Sequence, residues 1–274
     1  MNLEKNSRIL VTGGVGFIGK YFVSRLLNQG HEIINLDKLT YAADKRIQPH
    51  FYEFSNYSFL HEDIADVTSL PECDLVVNFA AESHVANSIR RSRHFTLSNV
   101  VGVQNLLELV RQFSPQMRPD FIQISTDEVY GDNAEGMFDE LSLLKPSNPY
   151  AATKAAAEHI IESYGRTYGL RYKIVRMSNN FGVRQFPEKL IPRSISRLYD
   201  GRKAQLHGDG SYRRTWLHVD DAVSGIIAVI TSGENEHAYN LSSPTEMTNR
   251  DLLKKILELL DMDFESNVEF IDNR

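Results

Sequence analysis

Short hydrophobic runs alternate, over the first two thirds of the chain, with longer segments whose hydrophobic positions recur at helical spacing. The short runs predict strands at Arg8–Thr12, Glu32–Leu36, Tyr57–Leu60, Asp74–Phe79, Asp120–Ser125 and Tyr172–Met177. The helical spacing predicts helices at about 17–29, 98–113 and 149–168. Because strands buried on both faces are continuously apolar, this alternation predicts an α/β fold with a parallel, doubly wound sheet.

The pattern changes after residue 178. Prolines and glycines interrupt the chain there, and helices are predicted only at about 191–200, 219–231 and 248–260. Residues 1–178 are therefore predicted to form the main domain, and residues 179–274 a smaller C-terminal lobe.

Composition narrows the range of partners and compartments. The chain has 274 residues and a net charge of −6, so it offers no basic field for nucleic acid or an anionic membrane. Its one cysteine, Cys73, indicates a reducing compartment. The N-terminus lacks the apolar core of a signal peptide, and no apolar run approaches the roughly 18 residues of a membrane span. A cytoplasmic location is predicted.

Glycines follow the first predicted strand and open the first predicted helix. Gly14, Gly16 and Gly19 satisfy GxGxxG, while Gly13, Gly16 and Gly19 give an alternative spacing of three. Glycines at such positions permit a tight turn and let the backbone approach a pyrophosphate, which the helix N-terminus then binds. A Rossmann dinucleotide site is therefore predicted at this turn.

An acid at the end of the second predicted strand extends this prediction. Asp37 stands about 20 residues beyond the glycines, where a carboxylate binds a ribose 2′-hydroxyl. Because a carboxylate repels a 2′-phosphate, NAD is predicted rather than NADP, a preference that Lys38 weakens slightly. Asp63, after the third strand, is a candidate for the adenine end, and an ordinary loop acid is an equal alternative.

Tyr150 and Lys154 lie four residues apart near the start of a predicted helix and so share one face. Asn148 suits the N-cap of this helix and Pro149 its first turn. An ammonium group favours a nearby phenolate, so Lys154 is predicted to lower the pKa of Tyr150 from its usual value near 10. Tyr150 would then be a base for a sugar hydroxyl, although many helices carry this spacing without catalytic meaning.

Two adjacent carboxylates, Asp127 and Glu128, follow the strand Asp120–Ser125 almost at once. A solvated turn explains them, and so does a general acid beside a general base. In a partly dry cleft, like charges disfavour double ionisation, so one carboxyl can stay protonated while its neighbour is ionised. Open α/β sheets bind ligands beyond the carboxyl ends of their strands, where this pair lies.

Several stretches together resemble a known family. They are GGVGFIG (13–19), LDKLTYA (36–42), NFAAESHV (78–85), STDEVYGD (125–132), NPYAATKAAAEH (148–159), RMSNNFG (176–182), QFPEKLIP (185–192) and GDGSYRRTWLHVDD (208–221). From about residue 8 onward the chain resembles the extended short-chain dehydrogenase/reductase family, and most of all its nucleoside-diphosphate-glucose 4,6-dehydratases. Thr126-Asp127-Glu128 matches the dehydratase pattern, whereas the similar epimerases carry small hydroxyl residues there.

The resemblance implies a set of residues for each role. The catalytic residues are Thr126, Asp127, Glu128, Tyr150 and Lys154. The NAD-binding residues are Gly13, Gly16, Phe17, Ile18, Gly19, Asp37, Lys38, Leu39, Thr40, Asp63, Ile64, Ala80, Ala81, Tyr150, Lys154 and Asn179. The substrate-binding residues are Ser83, Thr126, Asn179, Lys189, Leu190 and Arg214, with a surface ion pair as the alternative for Lys189 and Arg214.

The implied reaction removes water between C5 and C6 of a nucleotide glucose, with dTDP-glucose the expected substrate. Tyr150 takes the proton of the 4-hydroxyl while C4 passes hydride to NAD. Glu128 then removes the C5 hydrogen, and protonated Asp127 gives a proton to the departing 6-hydroxyl. Hydride returns to C6 and a proton reaches C5, which yields a 4-keto-6-deoxy sugar.

Some positions depart from the family pattern, namely Ala86, Gln205, His207, Thr215 and Thr245. Because some of them fall near the expected base pocket, UDP-glucose remains an alternative substrate. The sequence also leaves open a nucleotide-sugar epimerase and a catalytically silent NAD-binding scaffold. Since relatives continue well past Arg274, the lobe at 179–274 is expected to be a nucleotide-sugar-binding lobe shortened at its C-terminus.

The resemblance also implies a homodimer that pairs through the helices at about 98–113 and 149–168. The hydrophobic core would explain the apolar residues of these helices equally well. The nine histidines form no ligand cluster in the sequence, and no metal is predicted.

Overall fold

The computed structural model describes residue 3 and residues 6–132 and 136–272. The remaining positions, which include Asn273 and Arg274 and most of the first five residues, lie outside this description. Contacts divide the chain into two compact units, one formed by Met1–Met177 and Val219–Leu241, the other by Ser178–His218 and Ser242–Arg274.

The strands and helices are as follows, in chain order. The strands are β1 (Arg8–Thr12), β2 (Glu32–Leu36), β3 (Tyr57–Leu60), β4 (Leu75–Asn78), β5 (Asp120–Thr126), β6 (Tyr172–Met177), β7 (Asn179–Phe181), β8 (Ala204–His207), β9 (Arg213–His218), β10 (His237–Leu241), β11 (Glu246–Thr248) and β12 (Val268–Ile271). The α-helices are α1 (Phe17–Asn28), α2 (Gln48–Phe51), α3 (Val85–Arg90), α4 (Ser92–Thr96), α5 (Gly102–Gln112), α6 (Pro149–Tyr168), α7 (Leu190–Tyr199), α8 (Val219–Ser232), α9 (Asn249–Leu259) and α10 (Phe264–Asn267). A π-helical segment, Leu97–Val101, leads into α5, and 3₁₀ turns lie at Lys45–Ile47 and Asp127–Tyr130.

A parallel sheet of seven strands, in the order β10-β6-β5-β4-β1-β2-β3, forms the centre of the first unit. The succession β3-β2-β1-β4-β5-β6 is that of a doubly wound dinucleotide-binding sheet, which confirms the predicted fold class. The winding direction changes between β1 and β4. Ligands of such sheets bind at this switch point, beyond the carboxyl ends of the strands.

The core of this unit explains why its strands are continuously apolar. Leu10, Val76 and Phe121 lie on three neighbouring strands and pack in one cluster with Leu106 of α5 and Ile161 of α6. On the part of the sheet near β6, α8 packs against both α1 and the sheet. A side chain buried in this way contributes about 1.5–3 kcal/mol, so burial rather than helix or strand propensity holds these elements in place.

Local signals define the ends of α6, the longest helix described. The Asn148 side chain caps its N-terminus by accepting a hydrogen bond from Ala151 N at 2.9 Å, and Pro149 occupies the first turn. Gly169 ends the helix in a left-handed conformation, with φ of 66°, which glycine adopts at little cost. The predicted bounds of this helix, 149–168, are confirmed.

The second unit has its own small sheets and core. Strand β9 lies between β7 and β11, while β8 pairs with β12 in parallel. Helices α7 and α9 pack on these strands through a cluster that includes Leu198, Leu206, Leu253 and Leu257. None of the helices in the described part of the chain is both long and apolar enough to span a bilayer.

The predicted division at residue 178 is wrong for residues 219–241, which return to the first unit. The reason is that β10 completes the main sheet by pairing in parallel with β6. The buried side chains of α8, among them Val223, Ile226 and Ile230, belong to the same unit. The helix itself was predicted, but its place in the fold depends on a strand of five residues that the sequence pattern did not reveal.

Candidate functional site

The glycine turn lies beyond β1, at the switch point of the sheet. Gly13 has φ of +70°, and a Cβ atom there would lie 2.7 Å from the backbone nitrogen of Ala80. A Cβ on Gly19 would lie 2.4 Å from the carbonyl oxygen of Gly13. Of the two possible glycine spacings, the conformation therefore singles out Gly13, Gly16 and Gly19, because Gly13 and not Gly14 has the positive φ.

The start of α1 fits a diphosphate group. Gly16 is the N-cap of α1, and no side chain among the described residues caps this helix end. Phe17, Ile18 and Gly19 form its first turn, which carries no acidic residue. The N–H groups at a helix start, with the positive end of the helix dipole, bind phosphate in this arrangement.

Side chains at the end of β2 hold the glycine turn from the other side. Asp37 accepts hydrogen bonds from Val15 N at 3.0 Å and from Leu39 N at 2.8 Å. Asn35, which the sequence reasoning missed, accepts from Gly14 N at 3.0 Å. Burial raises the pKa of Asp37, while its two backbone hydrogen bonds oppose that shift. The turn and the acid predicted to bind the ribose are thus parts of one hydrogen-bonded unit.

The loop residues beyond β2 and β3 are joined by an ion pair. Lys38 Nζ lies 3.1 Å from Asp63 Oδ2 and donates to Ser98 Oγ at 2.8 Å. Ile64 is buried in the core cluster of α5 and α6, and half-buried Thr40 follows Leu39 in the β2 loop. The structure therefore brings Lys38 and Asp63 together at the same edge of the sheet as Asp37.

A chain of buried polar side chains crosses the centre of the sheet. The Thr12 hydroxyl donates to Asn78 Oδ1, Asn78 Nδ2 donates to Gln123 Oε1 at 2.8 Å, and Gln123 Nε2 donates to Ile124 O at 2.8 Å. Thr12 also accepts from Ala80 N at 3.3 Å. This chain links the loop beyond β4 to the end of β5.

The residues beyond β4 lie on the surface near this loop. Ala80 is half-buried, whereas Ala81 and Ser83 are exposed. Asn99, in the π-helical segment, holds the next part of the loop by accepting from Glu82 N at 2.8 Å and donating to Glu82 O at 2.9 Å. Asn99 also donates to Thr153 Oγ1 at 3.0 Å, although nothing in its sequence context had marked it as a site residue.

The paired acids sit in the 3₁₀ turn that ends β5. Thr126 caps this turn by accepting from Glu128 N at 3.2 Å, and its hydroxyl also hydrogen-bonds Tyr150. Thr126 Oγ1 lies 3.3 Å from Asp127 Oδ1, and both carboxylates are half-buried. Asn148 Nδ2 donates to Glu128 Oε2 at 3.0 Å. The structure thus brings together Thr126, Asp127, Glu128 and Tyr150 from two separate parts of the sequence.

The prediction that Lys154 lowers the pKa of Tyr150 is wrong for this structure. Burial and the charges of Glu128 and Asp127 raise the pKa of Tyr150, and only its hydrogen bond with Thr126 lowers it. The Lys154 ammonium is directed to the backbone instead, where it donates to Ile124 O at 2.6 Å. Burial lowers the pKa of Lys154 to about 8, against the opposing charge of Glu158.

Lys154 should make the stability of the protein depend on pH. In the unfolded chain its pKa is about 10.4, so between about pH 8 and pH 10 the unfolded chain holds more protons at this position and the free energy of unfolding rises with pH. We expect the free energy of unfolding of the parent, relative to that of Lys154→Met, to increase by about 2 kcal/mol between about pH 7.5 and 9.5, measured by urea denaturation. Lys255→Met, at an exposed position of α9, is the matched control and should show no such change with pH. If the free energies of unfolding of the parent and Lys154→Met differ by the same amount at both pH values, the prediction is contradicted.

A buried ion pair stabilises the 3₁₀ turn Asp127–Tyr130, which carries the paired acids. Arg176 of β6 lies 2.8 Å from Glu158 of α6, and both side chains are almost fully buried. The Ser125 hydroxyl donates to Glu158, and Arg176 donates to Tyr130 Oη at 2.7 Å. Ser125 precedes the turn and Tyr130 ends it, so the ion pair holds both ends. Sequence reasoning missed this pair because its members stand on different elements.

The remaining predicted residues belong to the second unit. Asn179 begins β7, is half-buried and lies opposite Trp216 of β9. Lys189 is the N-cap of α7, and Leu190, its first residue, packs on the core cluster. Exposed Arg214 donates to the carbonyl oxygen of Arg213, the residue that pairs with Glu246 at 2.8 Å.

Among the described residues, no three His, Cys, Asp or Glu side chains form a group that could hold a metal ion. The absence of a metal therefore stays a prediction.

Comparison with known proteins places the chain in a family. A profile described as GDP-mannose 4,6 dehydratase matches residues 10–273. The chain belongs to this family. It is 42% identical over 271 residues to the low-salt glycan biosynthesis protein Agl12 of Haloferax volcanii, covering 97% of this chain and 86% of that protein. The prediction of an extended short-chain dehydrogenase/reductase of the nucleotide-sugar 4,6-dehydratase type is confirmed.

Two further relatives differ in the nucleotide that their names contain. A trifunctional UDP-glucose 4,6-dehydratase, epimerase and reductase of Arabidopsis thaliana is 39% identical over 278 residues, covering 97% of this chain and 41% of that protein. The crystal structure of DesIV from Streptomyces venezuelae, a dTDP-glucose 4,6-dehydratase with NAD and TYD bound, is 40% identical with a TM-score of 0.92. The match covers 97% of this chain and 85% of DesIV. The predictions of a family enzyme and of NAD as its cofactor are confirmed.

Proposed function

We propose that this protein converts a nucleoside-diphosphate glucose, with dTDP-glucose as the favoured substrate, into its 4-keto-6-deoxy derivative. The observation that carries the proposal is the grouping of two adjacent carboxylates, Asp127 and Glu128, with the Thr126 hydroxyl and the Tyr150 phenol. An oxidation at C4 needs a base for the 4-hydroxyl, and loss of water needs both a base and an acid. The grouping supplies all three.

NAD fits the turn beyond β1. Gly13 and Gly19 leave no room for side chains at their closest approaches, a Cβ on Gly16 would lie 3.0 Å from the carbonyl oxygen of Gly13, and the start of α1 presents N–H groups for the diphosphate. We assign the ribose to Asp37 and the adenine end to the loop that holds Lys38 and Asp63. When bound, NAD would supply the hydride acceptor for C4 of the sugar and the hydride donor for C6.

The proton transfers are assigned to the side chains beyond β5. Tyr150 takes the proton of the 4-hydroxyl, and Thr126 hydrogen-bonds the 4-oxygen beside it. Glu128 removes the C5 hydrogen, which the new 4-ketone has made acidic because the carbanion is delocalised into the carbonyl. Asp127, held protonated, gives its proton to the departing 6-hydroxyl, and a proton returns to C5 when hydride reaches C6.

Protonation of Asp127 has a second consequence in this site. The charges of Glu128 and Asp127 are two of the causes that raise the pKa of Tyr150. A protonated Asp127 removes one of these charges and so favours the phenolate. The proton that prepares the acid of the elimination therefore also helps to prepare the base of the oxidation.

Residues of the second unit are assigned to the nucleotide sugar. Arg214 carries an exposed guanidinium on β9, and a guanidinium can bind two phosphate oxygens at once. Asn179, Lys189 and Leu190 contribute polar and apolar groups for the sugar and the nucleoside. Ser83 of the first unit is assigned to the sugar as well. We also propose a cytoplasmic homodimer formed through the region of 98–113 and α6, where Val101 and Tyr168 are exposed large hydrophobic side chains.

The substrate can be tested directly. The protein is incubated with NAD and, separately, with dTDP-glucose and UDP-glucose, and the products are weighed by mass spectrometry. We expect a loss of one water from dTDP-glucose, and a loss from UDP-glucose alone would transfer the assignment to the uridine nucleotide. An unchanged mass with an altered sugar would indicate an epimerase, which the paired acids argue against. No change with either nucleotide would favour an NAD-binding scaffold and contradict the proposal.

A further inference from the structure

The Asn148 side chain is bonded at both ends. Its Oδ1 atom accepts from Ala151 N at 2.9 Å and caps α6, while its Nδ2 atom donates to Glu128 Oε2 at 3.0 Å. Both Asn148 and Glu128 are half-buried, so water competes only in part for these bonds. One planar amide group therefore joins the start of α6 to the acid that the proposed function makes the base for C5.

Capping alone does not require asparagine at this position. Ser, Thr and Asp also accept the hydrogen bond of an N-cap, and Ser and Asp do so about as well as Asn. An aspartate would have no donor for Glu128, and a serine or threonine carries its single O–H on the same oxygen that accepts the cap bond, so it lacks the separate donor atom with which the amide reaches Glu128. The second bond is the feature that only an amide provides here.

The geometry also fixes where Glu128 lies relative to Tyr150. The cap ties the amide plane of Asn148 to the first turn of α6, and Tyr150 stands two residues further along in that same turn. The amide bond to Oε2 restrains the orientation of the Glu128 carboxylate. The Asn148 amide thus fixes the position of the Glu128 carboxylate relative to the Tyr150 hydroxyl, which acts in the preceding oxidation step.

We propose that Asn148 is a positioning residue for Glu128, which it holds against the start of α6 so that the carboxylate meets the C5 hydrogen of the substrate. This role rests on the proposed function, in which Glu128 is the base of the elimination. Asn148 does not touch the reacting atoms and acts through Glu128.

Substitutions that keep the cap acceptor and remove the amide Nδ2 donor test this role. Asn148→Ser and Asn148→Thr retain an N-cap acceptor, so we expect the unfolding midpoint and the NAD content of the parent. Because one hydrogen bond to a charged group is lost, we expect kcat to fall about tenfold or more with little change in KM. A substrate deuterated at C5 should show a larger isotope effect on kcat, because removal of this hydrogen becomes the slow step. Asn148→Ala should show the same kinetics and, in addition, a lower unfolding midpoint.

The control removes an exposed amide hydrogen bond to a backbone carbonyl elsewhere. Asn267 Nδ2 donates to Asp263 O at 2.7 Å in the second unit, and Asn267→Ser should leave kcat and the isotope effect unchanged. If Asn148→Ser and Asn148→Thr keep the kcat and isotope effect of the parent while Glu128→Gln loses dehydration, the positioning role alone is overturned. If Glu128→Gln still dehydrates normally, the assignment of the base is overturned, and the positioning role with it.

Discussion

We expect the Glu128→Gln variant to bind NAD as the parent does and to lose about 10²- to 10⁴-fold in the rate of dehydration. Glutamine has nearly the same shape and still offers an oxygen to Asn148 Nδ2, but it cannot accept the C5 hydrogen as a proton. NAD binding should persist because Glu128 stands at the end of β5, whereas the glycine turn and Asp37 follow β1 and β2. Product formation is measured by mass spectrometry, and NAD content is measured on the purified protein.

A matched variant separates this effect from the loss of a charge. Glu258→Gln removes one carboxylate from an exposed position of α9 and should retain the activity of the parent. Dehydration by Glu128→Gln within tenfold of the parent rate would show that another group removes the C5 hydrogen. A simultaneous loss of NAD from Glu128→Gln would show instead that the substitution disturbs the fold of the site.

The second large effect is expected on stability, in Arg176→Met. This change leaves Glu158, with 0% of its surface exposed, as an uncompensated charge in the core. It also removes the hydrogen bonds from Arg176 to Tyr130 Oη at 2.7 Å and to Glu140 O at 3.0 Å. Breaking a buried pair by removing one partner costs about 3–5 kcal/mol, so we expect a loss of that size in the free energy of unfolding, measured by urea denaturation.

Two further variants show whether burial causes this loss. Arg202→Met breaks an ion pair with Asp200 whose side chains are 55% and 54% exposed, and it should cost no more than about 1 kcal/mol. The double variant Arg176→Met with Glu158→Leu removes both charges and should regain much of the stability lost in the single variant. A cost of less than about 1 kcal/mol for Arg176→Met alone would mean that the pair contributes nothing beyond a surface ion pair.

The elements that could be predicted are those with a strong local signal. β1, β2 and β6 have the predicted bounds because strands buried on both faces are nearly uninterrupted apolar runs, and the bounds of the partly exposed edge strand β3 were predicted as well. The strands β7 to β12 were missed, since each has only three to six residues and part of each remains exposed. A short, half-exposed strand is specified by the partner it pairs with, and its own sequence carries little of that information.

The site shows the same contrast. The glycine turn, Asp37, the paired acids and Tyr150 with Lys154 were all recognisable from residue type and spacing. Asn35, Gln123 and Asn99 were not recognised, because their role depends on which strand or loop lies beside them. Asn148 was recognised as a helix cap, and its bond to Glu128, twenty residues earlier in the chain, emerged only from the fold.

By itself the sequence determined the local features of this protein: a glycine turn after β1, the N-cap and the bounds of α6, and the buried strands of a doubly wound sheet. Each of these features depends on a few consecutive residues or on the short-range spacing of hydrophobic positions. Tertiary structure alone decided that residues 219–241 complete the main sheet and that Arg176 neutralises Glu158. It also decided the direction in which the pKa of Tyr150 shifts, because burial and the carboxylates brought close by packing set that shift. The four-residue spacing between Tyr150 and Lys154 specifies neither the burial nor the nearby carboxylates.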